Sequence, residues 1–261
     1  WKHAEPAPAW KGIRRADSFG PDCMQHSTMW VESEPERSFF YHPTGMSSED
    51  CLYLNVWMPV PQDKAKDRLP VMVWIHGGAS IQGSGSWPLY DGTALAAKGI
   101  ILITINYRLG VFGNFSHPQL SAESPHKTSG NYGLTDQMLA LRWVQNNISA
   151  FGGDVKNVTV FGESAGSSSL SRLMASPLAK GLFQKGIGQS AAAFMTLSDI
   201  KADAPGKLAA ETIGLTFANA VGRETVAKLR DMTAEDLLHA ARAKLSTGLD
   251  QGIVDGWILP D

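Results

Sequence analysis

The chain has 261 residues, of which 43% are hydrophobic and 18% charged, enough for one large α/β domain or two small ones with a substantial core. A formal net charge of -2 and the lack of any basic run argue against a nucleic-acid partner. The longest apolar runs, Gly99 to Ile105 and Val71 to Ile75, are far too short to span a bilayer.

The chain opens on Trp1 without a signal-peptide pattern, as a mature or trimmed product would. Residues 1–50 carry little periodicity and much Pro, Ser and Glu, which predicts an irregular, partly stranded N-terminal layer. Cys23 and Cys51 are the two cysteines. They are either two buried reduced thiols or one disulfide closing an N-terminal loop, worth roughly 3–4 kcal/mol on the chain-entropy model. A disulfide would place the protein outside the reducing cytosol.

Leu52 to Trp57 reads as a strand, followed by a polar turn from Pro59 to Leu69. Val71 to Ile75 is a continuous apolar run, as expected of a strand covered on both faces. It ends in His76-Gly77-Gly78-Ala79 and a Gly/Ser loop, Ser80 to Trp87. A short helix is predicted over Asp91 to Lys98, then a strand over Ile100 to Ile105. Asn106 to Gly130 reads mostly as loop, with Pro118 and Pro125 as breaks. Leu134, Met138, Leu141 and Ile148 recur at helical spacing, which predicts an amphipathic helix.

Val158 to Phe161 is a β-branched and aromatic strand that stops at Gly162. Small residues follow and read as a helix start, and Ser164 sits between Gly162 and Gly166. This G-x-S-x-G spacing, with a strand before and a helix after, is the pattern of a nucleophile elbow. Glycine is needed where strand and helix come into close contact. The turn strains the serine and aims its oxygen at open space, and the helix N-terminus offers free N–H groups at the same spot. A further strand is predicted over Gly186 to Gln189. Helices follow over Pro205 to Ala220, Glu224 to Arg230 and Thr233 to Lys244, the last with a capping-box-like Thr233 and Asp236. Strands alternating with helices predict an α/β fold with a mostly parallel central sheet and helices on both faces.

Acyl transfer needs a nucleophile, a base held by a carboxylate, and donors for the oxyanion. Ser164 is the candidate nucleophile. The donors expected are the N–H of Ala165 and N–H groups of the loop at residues 76–79, which follows a buried strand as an oxyanion loop does. The base is missing. His3, His26, His42, His76, His117 and His126 precede the serine. His239 alone follows it, within a predicted peripheral helix where a solvated or capping role is expected. No metal-ligand cluster replaces a base, and no cofactor is implied. Trp87, Tyr90 and Phe115 are candidates for a pocket wall, though aromatic residues there are as often plain core.

The chain resembles the type-B carboxylesterases, the cholinesterase-like branch of the α/β-hydrolases. The matching stretches are Ser48 to Trp57, the loop at 76–79 with Gly83-Ser84-Gly85, Asn106 to Gly113, Gly130 to Gln137, Phe151 to Asp154 and Gly162 to Gly166. The resemblance implies a single α/β-hydrolase domain over residues 1–261. It also implies that Ser164 is acylated by an ester substrate, with Gly78, Ala79 and Ala165 as oxyanion donors and Glu163 as an acidic neighbour. Cys23 and Cys51 match the family's first disulfide, which implies a secreted or periplasmic protein. Ala191 stands where the family has glycine after Gln189-Ser190. Val254-Asp255-Gly256 resembles a landmark that precedes the family's catalytic acid and histidine. The chain ends at Asp261, about half the family's usual length, so both are expected from further polypeptide, possibly a separate chain. The same site would also suit an amide or lactone hydrolase. The reading from another class is a catalytically silent, cholinesterase-like adhesion or binding protein.

Overall fold

A computed structural model of the chain describes residues 1–26, 47–60, 68–191, 196–245, 249 and 252–260. In chain order the elements are β1 (Asp22–Cys23), β2 (Ser47–Ser48), β3 (Leu54–Trp57), β4 (Leu69–Ile75), α1 (Thr93–Ala96), β5 (Ile101–Ile105), α2 (Gly110–Asn114), α3 (Pro118–Glu123) and α4 (Tyr132–Asn147). They continue with β6 (Gly153–Glu163), α5 (Ala165–Ala175), β7 (Lys185–Gln189), β8 (Ser198–Asp199), α6 (Ala210–Ala220), α7 (Val226–Arg230), α8 (Ala234–Lys244) and β9 (Ile253–Val254). Much of the predicted N-terminal layer and most of the turn after Pro59 lie outside the described residues.

Five strands form the central sheet in the order β3-β5-β4-β6-β7. β3 runs antiparallel to β5, and the other three pairings are parallel. All five residues of β5 are buried, as are Val71, Val73, Trp74 and Ile75 of β4. A parallel strand buried on both faces has no polar side to alternate with, which is why these two segments read as unbroken apolar runs. β6 is longer than its apolar core predicts. It reaches back to Gly153 through Asp154, Lys156 and Asn157, because its first residue pairs with Leu69 across an irregular register.

The chain leaves β4 towards β5, then returns past β4 to reach β6. Right-handed crossovers then put α1 on one face of the sheet and α4 and α5 on the other. The reversal of direction makes a topological switch point at the C-terminal ends of β4 and β6, the place where open α/β sheets hold their ligands. α4 buries Leu134, Met138, Leu141 and Val144. They join Val73, Ile75, Ile103, Val160 and Leu170 in the main core.

Residues 106–130 are more regular than expected. Pro118, read as a break, occupies the first turn of α3, where its missing N–H costs nothing. α2 holds two glycines and has low intrinsic propensity. A β-carbon on Gly113 would fall 2.1 Å from Arg108 O, so close packing rather than propensity sets this helix. Phe112, Phe115 and Leu120 of this region pack with Phe217, Val226, Leu229 and Leu237 in a second core. The helix expected from Pro205 begins only at Ala210, because Ala204 and Lys207 close a bridged turn. Thr225 and Thr233 cap α7 and α8 by accepting from Lys228 N and Asp236 N. Among the described residues no helix is long and apolar enough to cross a membrane.

Candidate active site

Ser164 stands between the last residue of β6 and the first of α5, with φ 51° and ψ −118°. Few non-glycine residues accept a positive φ, and strain of this kind costs about 1–3 kcal/mol. What holds it is the packing on either side. A β-carbon on Gly162 would meet Gly166 C at 2.6 Å, and one on Gly166 would meet Ile75 O at 2.0 Å. Neither position has room for a side chain, so strand and helix pack closely here. Ser164 N donates to Gln189 O at 2.9 Å, which ties the turn to the end of β7. Ser167 Oγ donates to Ala191 O at 2.7 Å, so Ala191 supports α5 through its backbone. Ser164 is half-buried rather than sealed in apolar packing. Ala165 opens α5, so its N–H is one of the four that a helix leaves without an internal partner.

The loop after β4 lies against this turn. A β-carbon on Gly77 would stand 2.9 Å from Glu163 Oε2, 3.0 Å from Glu163 O and 3.3 Å from Ser164 Cβ. Gly78, Ala79 and Ser80 follow with φ of 95°, 53° and 56°. Three consecutive positive values, two of them on residues with a β-carbon, turn this backbone in a direction that L-residues avoid. The loop is held by its carbonyls. Gly78 O accepts from Ile81 N and Gln82 N, and Ser80 O accepts from Gly110 N at 2.7 Å. His76 O accepts from the Tyr107 hydroxyl at 2.7 Å, and the two rings stack at 4.3 Å.

His76 is fully buried and donates from Nδ1 to Gly77 O at 2.8 Å. Burial, only partly offset by that bond, holds its imidazole down to about 4, so it is neutral at pH ~7. It shapes the loop and is not available as a base. The other described histidines are engaged elsewhere. His3 packs on Tyr132 and Trp257, and His126 stacks on Trp257 at 3.6 Å. His117 Nδ1 accepts from Gln119 N as the cap of α3. His239, exposed on α8, packs its ring against His26. His42 lies outside the described residues. Among the described residues no group of His, Cys, Asp or Glu is placed to hold a metal ion.

Cys23 and Cys51 form a disulfide with Cα atoms 4.8 Å apart. Two side chains link it to the loop. Gln25 Nε2 donates to Gly83 O at 2.9 Å and to Cys23 O, and Gly83 N donates back to Gln25 Oε1 at 2.7 Å. Asn106 Nδ2 donates to Cys51 O, and Asn106 Oδ1 accepts from Gly85 N. Asn106 lies in a motif that the sequence singles out. Gln25 does not, and its only signal is an amide placed two residues after a cysteine. Asp255 has a structural place: Oδ1 accepts from the N–H groups of Trp257, Ile258 and Leu259, and Oδ2 from Thr128 and Asn131. Phe115 and Trp87 are buried. A cavity of about 470 Å³ lies beside the disulfide, lined in part by Met24, Arg108, Phe112 and Leu237, and does not include Ser164.

The sequence model of the Carboxylesterase family matches residues 1–261. The chain is 47% identical to the fumonisin B1 esterase of Sphingopyxis macrogoltabida, over 78% of this chain and 36% of that protein. It is 46% identical to the para-nitrobenzyl esterase of Bacillus subtilis, over 92% of this chain and 45% of that protein. Against the human cocaine esterase it is 40% identical, over 98% and 44% respectively. Among solved structures, a PNB esterase superposes with a TM-score of 0.81 at 42% identity, covering all of this chain and 51% of the other. A Geobacillus stearothermophilus carboxylesterase gives 0.80 at 40% identity, covering 98% and 48%. The chain thus spans less than half the length of these curated relatives. Its strand order, its sheet and these neighbours give it the α/β-hydrolase fold, and by sequence over all its residues the chain belongs to the carboxylesterase family.

Proposed function

We propose that this chain carries the nucleophile and oxyanion hole of a serine hydrolase that cleaves carboxylic esters. Ser164 Oγ gives its proton to a histidine base and attacks the ester carbonyl carbon. The carbonyl oxygen becomes an oxyanion facing the N–H groups of Gly78, Ala79 and Ala165, and collapse expels the alcohol with the proton held by the histidine. Water then attacks the acyl-enzyme and releases the acid. Glu163 is the acidic neighbour that packs on Gly77, and residues 1–261 are part of a single α/β-hydrolase domain. The histidine and its carboxylate come from polypeptide beyond these residues. The buried Cys23–Cys51 bridge favours maturation outside the reducing cytosol, in a secreted or periplasmic protein.

One observation carries the reading: Ser164, half-buried and strained at the head of an eleven-residue helix, lies against Gly77, which leads into the positive-φ run of Gly78, Ala79 and Ser80. A preorganised set of donors beside a nucleophile has no use in a mere binding protein and is worth about 3–4 kcal/mol per donor in acyl transfer. The test is covalent labelling of the full-length polypeptide with an organophosphonate. Labelling at Ser164, lost in Ser164→Ala, is the expected result. A folded full-length protein that never labels would overturn the reading and favour an adhesion or binding role. A panel of p-nitrophenyl, feruloyl and choline esters then reads the acyl and alcohol preference.

A further inference from the structure

The backbone from Gly78 to Ser80 is held in a conformation that it would not adopt alone, so something must over-determine it. Part of the answer is local: the turn bonds at Gly78 O and the Tyr107 hydroxyl on His76 O. The other part comes from a residue 58 positions earlier in the chain. Gln25 is buried and pairs with Gly83 in both directions, donating to its carbonyl at 2.9 Å and accepting from its N–H at 2.7 Å. A single side chain thus satisfies both backbone groups of Gly83, as a neighbouring strand would.

Gly83 in turn has no slack against the loop. Its φ is 125°, and a β-carbon there would fall 2.2 Å from His76 Nδ1 and 2.9 Å from Gly77 O. Moving Gly83 therefore moves His76 and Gly77, and Gly77 is the residue against Ser164. Gln25 is itself anchored, because the same Nε2 donates to Cys23 O, and Cys23 is bridged to Cys51. Asn106 holds the other end of the segment, accepting from Gly85 N while donating to Cys51 O. The disulfide, two amide side chains and residues 83–85 form one frame behind the loop.

We infer that Gln25 is a positioning residue that fixes the aim of the N–H groups at Gly78 and Ala79 by clamping Gly83 against His76. It touches neither substrate nor Ser164. The inference rests on the esterase reading for its catalytic consequence, though not for its structural one.

The experiment compares wild type, Gln25→Leu and Gln25→Glu in the full-length polypeptide. Gln25→Leu keeps the bulk and removes all three bonds; Gln25→Glu keeps an acceptor for Gly83 N and loses the donor. Hydrogen exchange of the peptide covering residues 76–87 is measured by mass spectrometry. Ester turnover and inhibition by a trifluoromethyl ketone are measured per titrated active site. Faster exchange in 76–87 is expected in both variants. With it should come a fall in kcat and in ketone affinity of about 10- to 100-fold for Gln25→Leu, less for Gln25→Glu, and little change in KM. If Gln25→Leu does not fold, Gln25→Glu is read alone. Unchanged exchange in 76–87 overturns the clamp whether or not the protein is an esterase. Faster exchange with kcat and ketone affinity within about twofold of wild type overturns the positioning role. A wild-type protein that never labels at Ser164 overturns the esterase reading and leaves exchange as the judge of the clamp.

Discussion

A β-carbon on Gly166 would fall 2.0 Å from the carbonyl oxygen of Ile75, so the helix that follows Ser164 rests on the end of the neighbouring strand. The obstacle is backbone on both sides and cannot swing away. Gly166→Ala must therefore pry α5 from β4, at a cost of about 3 kcal/mol or more. The expected outcome is a large fall in urea midpoint, and loss of labelling at Ser164 in whatever folds. An unchanged midpoint would mean that the turn is looser than this contact requires.

The Arg108–Asp136 ion pair gives a second prediction. Asp136 accepts from Arg108 Nε at 2.8 Å, from Nη2 at 2.7 Å and from the Arg108 backbone N–H at 3.1 Å, and its side chain is wholly buried. Removing one partner leaves a buried charge without compensation, which costs about 3–5 kcal/mol. Asp136→Asn should destabilise the protein by that order, measured by denaturant unfolding. Arg108→Lys should recover little, because an ammonium cannot reproduce the fork.

The parts of this site that the sequence makes legible are those with a local signature. Gly162, Ser164 and Gly166 are adjacent in the chain, and their steric reason is local too. The apolar runs of β4 and β5 follow from burial on both faces. What was not legible depends on distance along the chain. The Gln25–Gly83 pairing joins residues far apart, and a single buried amide leaves no period or spacing. α2 was missed because its glycines serve the contact with Arg108 O, and α3 because Pro118 reads as a break when it opens a helix. Val254-Asp255-Gly256 was visible as a landmark of the resembling family. That Asp255 gathers three backbone N–H groups is visible only once the chain is folded.

That gathering can be tested. Asp255 Oδ1 accepts from Trp257 N, Ile258 N and Leu259 N at 3.0, 2.7 and 3.0 Å, and Oδ2 reaches the segment that leads into α4. Asp255→Ala leaves these donors without their charged partner, at a cost of about 2–3 kcal/mol. Hydrogen exchange should rise first at residues 253–259 and at 128–131, since Asn131 also pairs with Ile253 through both its side-chain groups.

Acid should weaken the fold through His76. Burial holds this imidazole down to about 4 in the native state, while the unfolded chain titrates near ~6.5. The folded value is the lower one, so the unfolded state binds more protons between the two. The neutral histidine's contribution is then complete above pH ~6.5 and is lost as pH falls towards ~4, by roughly 2–3 kcal/mol at pH ~4.5. Urea midpoints from pH ~7.5 to ~4.5 should show this decline, and His76→Gln should show a shallower one. Equal slopes would remove His76 as the cause.

Tyr107 offers the last test, because it braces the same loop through His76. Its hydroxyl donates to His76 O at 2.7 Å, and its ring stacks on the His76 imidazole. Tyr107→Phe keeps the stack and strands a buried carbonyl, so about 1–2 kcal/mol of stability should be lost. That carbonyl also lies 3.0 Å from where a β-carbon of Gly166 would be, so the helix start and the loop share one contact point. The rate of Ser164 labelling should fall about tenfold. If the hydroxyl and Gln25 brace one rigid loop, the double variant Gln25→Leu/Tyr107→Phe will lose less than the two single losses combined, since the second brace has nothing left to hold once the first is gone. Strictly additive losses would mean that the two residues act on separate parts of the loop, and that no single frame aims its N–H groups.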